Sequence, residues 1–329
     1  MARADPAPGF AGVHQPGILT PPPPALVLAA FDLTGTDLTG TDLEALLAAW
    51  SATAERLTGG GLTLTFGLGP ALFDRPGLRD RRPVALRPLP PFPGDELDPA
   101  QCDGDLCVQA CAPTAEVAAD AVAALTGAVA GAVSPRWRWT GFLPARGPTA
   151  ASPRDLLGFR DGSANPRMTA DIDRLVWAGP GDRSWMRGGT YLVARRIRLD
   201  LAAWARVPVD RQERIIGRHK GSGAPLGRRR EYDPREPVAL PADAHARLAA
   251  PEHNQGARML RRGYAYDDGN EAGLIFLAFA RDPRRQYVPV QRRLAEGDAL
   301  NEFATHTGSA VFALPPGARP GGSLAEGLF

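Results

Sequence analysis

The order of strand-like and helix-like segments is the strongest constraint on the fold, because the same order occurs in both halves of the chain. Short apolar runs of strand length alternate with segments whose apolar residues recur at helical spacing. In the first half these segments are residues 25–31, 41–57, 62–67, 106–112, 114–133 and 137–143. In the second half they are residues 189–199, 209–217, 258–266, 273–281, 286–295 and 310–314. Each half has the order βαββαβ, which predicts an α+β fold of two ferredoxin-like domains with antiparallel sheets.

Length and proline content indicate where the domains begin. A chain of 329 residues is longer than a single hydrophobic core usually supports. Residues 1–24 are rich in proline and glycine and end in four consecutive prolines, which is typical of an irregular arm. A second break falls in the Gly-Pro-Thr-Ala stretch at 147–150. We therefore expect an N-terminal arm over 1–24, an N-terminal domain over 25–150 and a C-terminal domain over 151–329.

The charge balance argues against nucleic acid as a partner. The chain carries 38 basic and 36 acidic side chains, a formal net charge of +2, and no long run of one sign. The three arginines at 228–230 form a short basic patch that is typical of a solvated loop. No stretch approaches the roughly 18 apolar residues of a transmembrane span, so we expect no membrane-spanning segment.

Two motifs that suggest a ligand lack the required pattern. The spacing of Cys102, Cys107 and Cys111 fits no zinc or iron–sulfur template, and Cys107 and Cys111 would share one face of a strand as small buried side chains. The glycine-rich stretch 221–227 contains a proline where a phosphate-binding loop should open into a helix. We expect neither a metal at the cysteines nor a nucleotide at the glycine-rich stretch.

The residues that could carry chemistry are ambiguous when each is taken alone. None of the five histidines lies in a His-Glu-x-x-His motif, and the chain has no Gly-x-Ser-x-Gly elbow. Residues 158–166, Gly-Phe-Arg-Asp-Gly-Ser-Ala-Asn-Pro, place Asp161 among turn formers, where an aspartate ordinarily caps a turn. His245 would suit a helix end, and Arg261 with Arg262 would suit an exposed rung of a strand.

Taken together, these segments resemble the dye-decolourising peroxidases. The resemblance rests on the Gly-x-x-Asp-Gly element at 158–162, on Ala-His-Ala-Arg-Leu-Ala-Ala-Pro at 244–251 and on Met-Leu-Arg-Arg-Gly-Tyr at 259–264. Further matching segments are residues 14–21, 188–193 and 216–226. The resemblance therefore covers nearly the whole chain, and the paired ferredoxin-like fold agrees with it.

The resemblance implies one haem b per chain, held mainly by the C-terminal half. It implies that His245 is the axial ligand of the iron, that Asp161 lies above the haem and that Arg261 stands beside Asp161. An aspartate can take a proton from hydrogen peroxide and return it to the leaving oxygen, and an arginine stabilises the negative charge that develops. Strand alternation lets only one of Arg261 and Arg262 face the haem, and both assignments stay open.

The neighbours of these residues receive weaker expectations. Three small residues after Asp161 are expected to line the haem edge, where backbone approaches the macrocycle closely: Gly162, Ser163 and Ala164. His14 is expected to serve packing or hydrogen bonding, because an irregular arm is a poor platform for a rigid ligand. The remaining histidines are expected at the surface: His219, His253 and His306.

The function implied by the resemblance is peroxide-driven oxidation of bulky organic donors such as dyes and phenolics. Tyr264 and Tyr266 are candidates for relaying electrons from the surface, although buried tyrosines are more often packing residues. An acid pH preference is expected, because free aspartate has a pKa of about 3.9. Two alternatives stay open: a protein that releases iron from haem, and a ferredoxin-like binding module without iron.

The cellular location is a further expectation from the resemblance. Proteins with this full-length pattern resemble exported twin-arginine substrates, which favours an extracytoplasmic location with any export signal absent from this chain. A cytoplasmic location and a homo-oligomeric assembly stay open.

Overall fold

The computed structural model describes residues 9–35, 40–144, 153–236 and 240–329, and it confirms the doubled order of strands and helices. The strands are β1 (Ala25–Leu33), β2 (Thr63–Leu68), β3 (Leu106–Ala112), β4 (Val133–Phe142), β5 (Thr190–Leu199), β6 (Leu260–Asp267), β7 (Ala272–Ala280) and β8 (Ala304–Leu314). The helices are α1 (Gly40–Leu57), α2 (Ala115–Ala128), α3 (Thr169–Leu175), α4 (Leu201–Arg206), α5 (Val209–Ile216), α6 (His245–Leu248), α7 (Pro283–Gln286) and α8 (Val288–Gly297). The expected domain boundary near residue 150 lies outside the described residues. Within the described ranges, no helix is both long and apolar enough to cross a membrane.

Each half forms one four-stranded antiparallel sheet with the same strand order. In the first half β1 lies between β4 and β3, and β3 pairs with β2. In the second half β5 lies between β8 and β7, and β7 pairs with β6. Both sheets therefore have their strands in the order fourth, first, third, second, which is the arrangement of a ferredoxin-like domain. The predicted fold class is confirmed.

The two sheets join at their edges and close into one eight-stranded barrel. β2 meets β8 where Leu68 pairs with Ala313, and β4 meets β6 where Phe142 pairs with Ala265. The segment pattern predicts the two sheets but not their closure, because an apolar run does not specify the neighbour of an edge strand. Alternation along each strand then points one face into the barrel and the other face outwards.

The barrel interior is lined mainly by apolar side chains, many of them aromatic. Cys107 and Cys111 lie there on one face of β3, as the spacing predicts. Trp137 and Trp139 stack inside the barrel with their ring centroids 4.1 Å apart. Outside the first sheet, Trp50 of α1 is fully buried in the helix-covered core. The helices and the barrel therefore enclose separate cores.

The largest differences from the expected element boundaries are at the start of β8 and the end of α2. β8 begins at Ala304 rather than 310, since residues 304–309 pair with β5 although several of their side chains are polar. α2 ends at Ala128 rather than near 133, because Val133 already pairs with the end of β1. Backbone pairing decides both boundaries, and side-chain periodicity does not report it.

Candidate active site

His245 is the first residue of α6 and is held by a buried carboxylate. Its Nδ1 lies 2.6 Å from Oδ2 of Asp298, which caps the short turn after α8. Oδ1 of Asp298 accepts a hydrogen bond from the backbone N–H of Leu300 at 2.9 Å. The Asp298 side chain is 3% exposed, whereas that of His245 is 31% exposed. The ring is therefore oriented by Asp298, and Nε2 is the nitrogen that can take a metal.

Two opposing effects dominate the pKa of His245. Burial lowers the pKa, because it removes water from the charged imidazolium. The charge and the hydrogen bond of Asp298 raise it, and the net direction is upward. The same carboxylate makes the imidazole a stronger electron donor toward a bound metal.

Asp161 lies in a tight loop, residues 153–165, called here the Asp161 loop. The backbone N–H of Asp161 donates to the carbonyl of Pro153 at 3.0 Å, which closes the loop on itself. Oδ1 of Asp161 accepts from the N–H of Gly162 at 2.6 Å, and the φ of +82° at Gly162 suits glycine. The side chain of Asp161 is 31% exposed. Its carboxylate is therefore fixed by its own loop and still accessible to a small ligand.

Arg261 of β6 faces Asp161, and Asn165 docks the Asp161 loop onto this strand. Nη2 of Arg261 lies 3.5 Å from Oδ1 of Asp161. The Asn165 side chain donates to the carbonyl of Arg261 at 2.7 Å and accepts from the N–H of Arg261 at 3.0 Å. This is the bonding pattern that a neighbouring strand would supply. Asn165 was missed from the sequence because its partner lies 96 residues away.

Arg262 occupies the opposite face of β6. Its buried guanidinium donates from Nη2 to the carbonyl of Ile18 at 3.1 Å and to that of Thr20. Arg262 therefore ties the N-terminal arm to the barrel. Strand alternation brings Arg261, and not Arg262, to Asp161.

Further cations lie close to Arg261. Burial lowers the pKa of Arg218, and the charges of Arg235 and Arg261 lower it further. Burial also lowers the pKa of Arg235, against the opposing effect of Glu252. A group of partly buried cations that repel one another suits a ligand with negative groups. Haem carries two carboxylates, so these arginines and Nε2 of His245 fit the cofactor that the resemblance implies.

The small residues after Asp161 make different contacts. The hydroxyl of Ser163 donates to Oε1 of Glu231 at 2.7 Å, and Ala164 is exposed. Gly162 donates its N–H to the carboxylate of Asp161. Their place at the haem edge stays a prediction.

Two of the other histidines have structural partners. His14 stacks on Trp177 with ring centroids 3.6 Å apart, and its Nδ1 lies 2.7 Å from the carbonyl of Gly188. These are the packing and hydrogen bonding expected of it. His219 is 40% exposed and pairs with Glu213 at 2.8 Å.

His306 differs from its expected place at the surface. It is only partly exposed, and its Nε2 lies 3.2 Å from Nε2 of Gln291 in α8. Burial first, and the charge of Arg195 second, lower the pKa of His306 to about 3. His253 is also half-buried. The sequence does not predict the burial of His306 and His253, because both lie in polar stretches and are covered by segments distant in sequence.

Comparison with known proteins agrees with this geometry. The family model for Dyp-type peroxidase, N-terminal, matches residues 15–143, and that for Dyp-type peroxidase, C-terminal, matches residues 152–319. The chain is 41% identical to the dye-decolorizing peroxidase of Thermobifida fusca (strain YX), over 95% of this chain and 83% of the relative. It is 36% identical to the deferrochelatase of Yersinia pseudotuberculosis, over 94% of this chain and 81% of the relative.

Solved structures with the same fold include oxyferrous and haem complexes. An oxyferrous/water mixed complex of DtpA from Streptomyces lividans is 39% identical, with a TM-score of 0.92 over 98% of this chain and 97% of that one. The DyP-type peroxidase from Cellulomonas bogoriensis is 38% identical, with a TM-score of 0.92 over 98% of both chains. A variant of DypB from Rhodococcus jostii in complex with heme, at 24% identity and a TM-score of 0.76 over 91% of this chain and 95% of that one, is similar in fold alone. This chain belongs to the Dyp-type peroxidase family, whose members are haem peroxidases.

Proposed function

We propose that the chain binds one haem b through His245 and uses hydrogen peroxide to oxidise bulky organic donors such as dyes and phenolics. The observation that carries the proposal is the convergence of three residues from separate segments. Asp161 and Arg261 are in contact, and both lie close enough to His245 for their charges to act on it. Peroxidase activity follows from the family, and the residue roles and the donor class are the proposed part.

The haem would be held mainly by the C-terminal half. His245, oriented by Asp298, would ligate the iron through Nε2. Arg218 and Arg235 would face the carboxylates of the haem, and the small residues at 162–164 would line its edge. When bound, the iron supplies the electron-transfer chemistry that the side chains lack.

Asp161 would move the proton of the reaction. Its ionised carboxylate accepts a proton from hydrogen peroxide and returns it to the leaving oxygen as the O–O bond breaks. Arg261, 3.5 Å away, stabilises the negative charge on that oxygen. An aspartate, ordinarily with a pKa of about 3.9, stays ionised at lower pH than a histidine, at about 6.5. We therefore expect turnover to favour acid pH.

Bulky donors would be oxidised at the surface through a tyrosine. Tyr266 lines a surface cleft of about 910 Å³ together with Trp139, and the guanidinium of Arg196 lies 4.1 Å from the centre of the Tyr266 ring. Tyr264 is buried, and its hydroxyl donates to the carbonyl of Pro23 at 3.1 Å. Tyr266 is also buried, at 3% exposure, but it lines the cleft and Tyr264 does not, which favours Tyr266 as the relay.

A second candidate function is the release of iron from haem, because several relatives at 34–36% identity are named deferrochelatase. Product analysis separates the two functions. Dye bleaching that requires peroxide and leaves the haem intact supports the peroxidase. Free porphyrin that forms without peroxide supports iron release. An iron-free binding module is set aside, since the family is enzymatic.

The test of the proposed roles compares the parent protein with His245→Ala and Asp161→Asn. We expect one haem b per chain in the parent, and a Soret band that is lost or strongly shifted in His245→Ala. Asp161→Asn should keep the band and slow the reaction with peroxide by about 10²–10⁴-fold. An unaltered Soret band in His245→Ala removes His245 as the ligand. An unchanged peroxide rate in Asp161→Asn, or activity that peaks well above pH 7, removes Asp161 as the base.

The proposed setting is extracytoplasmic, on the resemblance to exported proteins. The proposed partners are hydrogen peroxide and a bulky organic reducing substrate, and not nucleic acid. Fractionation of the source cells tests the location, and enrichment in the cytoplasmic fraction would contradict it.

A further inference from the structure

Glu231 contacts residues on both sides of Asp161. Its side chain is 6% exposed, and Oε2 accepts from Nη1 of Arg160 at 2.6 Å. Oε1 accepts from the hydroxyl of Ser163 at 2.7 Å. Arg160 directly precedes Asp161, and Ser163 follows it by two residues. A single buried carboxylate therefore brackets the residue to which the proposed function assigns proton transfer.

The glycine-rich stretch at 221–227 supplies the rest of the support. Arg154, at the base of the Asp161 loop, donates to the carbonyls of Lys220 at 2.6 Å and Gly221 at 2.9 Å. Gly223 has a φ of +75°, and an added Cβ there would lie 2.6 Å from Cδ of Arg160. The glycine-rich stretch therefore packs against the Asp161 loop and supports it.

The Arg160–Glu231 pair also balances the charge beside Asp161. An unpaired guanidinium next to a carboxylate favours its ionised form, and an unpaired carboxylate disfavours it. Because Glu231 neutralises Arg160, the pair adds little net charge. Arg261, whose Nη2 lies 3.5 Å from Oδ1 of Asp161, is then the cation that pairs with this carboxylate.

Other ionisable groups that interact with Asp161 belong to the elements around it. Arg261 approaches from β6, Asp155 belongs to the Asp161 loop, and His245 begins α6. Substitution of the Arg160–Glu231 pair leaves these three groups in place. Glu231 also acts by charge on Arg218, whose guanidinium donates to the carbonyl of Glu231 at 3.1 Å. Only opposite changes in pH dependence in Glu231→Gln and Arg160→Gln are therefore assigned to the pair.

We propose that Glu231 is a positioning residue for Asp161: it fixes the Asp161 loop through Arg160 and Ser163 and cancels the charge of Arg160 beside the proposed base. This inference rests on the proposed role of Asp161. It predicts an effect on the pH dependence of the peroxide reaction that a purely structural residue would not have.

The test uses the haem-loaded protein with Glu231→Gln, Arg160→Gln and the double variant. The pH dependence of the second-order rate constant with hydrogen peroxide is measured by stopped-flow absorption. Glu231→Gln should move the acid limb to lower pH, and Arg160→Gln should move it to higher pH, each by about 0.5–1 unit. The double variant should return close to the parent, because it removes both charges.

A matched control variant and a second measurement separate an effect on the Asp161 carboxyl from a general effect on the peroxide reaction. Glu302→Gln removes an exposed carboxylate that pairs with Arg211 at 3.0 Å, and it should leave the acid limb unchanged. In the metal-free protein, the carboxyl resonance of Asp161 is followed by ¹³C NMR of aspartate-labelled samples and assigned with Asp161→Asn. Its titration should shift in the same opposite directions in the two single variants.

The outcomes distinguish this inference from the proposed function. Superimposable acid limbs and titrations in all variants, with the peroxide reaction lost in Asp161→Asn, overturn the role of Glu231 alone. A parent-like rate in Asp161→Asn overturns the proposed function instead. If Glu231→Gln fails to fold, Arg160→Gln decides: a shift to higher pH supports the inference, and no shift overturns it.

Discussion

An added Cβ at Gly263 would lie 2.8 Å from Oδ2 of Asp161. Gly263 follows Arg261 by two residues on the same face of β6, so the carboxylate lies against the strand where a side chain would otherwise stand.

Gly263→Ala is expected to displace Asp161 from Arg261 and to slow the peroxide reaction by on the order of 10²-fold. The rate is measured by stopped-flow absorption. Gly181→Ala is the control, since an added Cβ there meets nothing within 4 Å. Equal rates in the two variants would contradict this placement.

Replacing Asp298 is expected to weaken the interaction that orients the His245 ring. Asp298→Asn keeps the shape of the side chain and its capping oxygen but removes the charge that faces Nδ1 at 2.6 Å. We expect haem affinity or peroxidase activity to fall by about 10–100-fold, as for other residues that orient a metal ligand. Haem titration followed at the Soret band measures the affinity. Asp200→Asn makes the same change at the N-cap of α4 and should leave haem binding at the parent level.

Arg261 and Arg262 are expected to fail in different assays. Arg261→Leu should lower the rate with peroxide by about 10²–10³-fold at nearly unchanged stability. Arg262→Leu should lower the free energy of unfolding by about 1–3 kcal/mol, because the buried carbonyl of Ile18 and the partly buried carbonyl of Thr20 lose their donor. Stopped-flow rates and denaturant unfolding measure the two effects. The opposite result, in which Arg262→Leu keeps its stability but reacts slowly with peroxide, would show that Arg262 and not Arg261 acts at the site.

His306 is expected to make the fold sensitive to acid. Its pKa is lowered to about 3 in the folded protein, below the ordinary value of 6.5, so the unfolded chain binds a proton first as the pH falls. Its contribution to stability is complete above about pH 6.5 and is lost progressively toward pH 3, which amounts to about 3 kcal/mol at pH 4. The acid preference expected from Asp161 therefore works against stability.

The measurement is the free energy of unfolding of His306→Gln at pH 7 and pH 4. The variant should lose less stability than the parent between these two values. His219→Gln, at a more exposed histidine, should behave as the parent does. An identical pH dependence in His306→Gln and the parent would refute the assignment.

Local periodicity was sufficient for the two sheets but not for their assembly. Apolar runs such as 25–31 and 106–112 indicate the doubled βαββαβ order, and this order predicts both ferredoxin-like domains. Barrel closure depends on which strand edges meet, as in the pairing of Phe142 with Ala265. Side-chain pattern does not encode such contacts between distant segments.

The candidate site was likewise predicted only in part. Asp161, His245 and Arg261 were predicted through the resemblance, since each has an ordinary structural explanation when taken alone. The residues that hold them were missed, because Asp298 and Asn165 bind partners 53 and 96 residues away in sequence. Which of Arg261 and Arg262 lies beside Asp161 depends on the two faces of β6, and the sequence does not specify these faces.

The closed barrel has a consequence for how the two halves of the chain depend on one another. Each half alone would carry the exposed edges of its outer strands, which are β2 and β4 in the first half and β6 and β8 in the second. Unpaired strand edges recruit other chains and promote aggregation. We expect the halves to be insoluble when produced separately and to yield soluble protein when produced together, so that each half acts as the chaperone of the other.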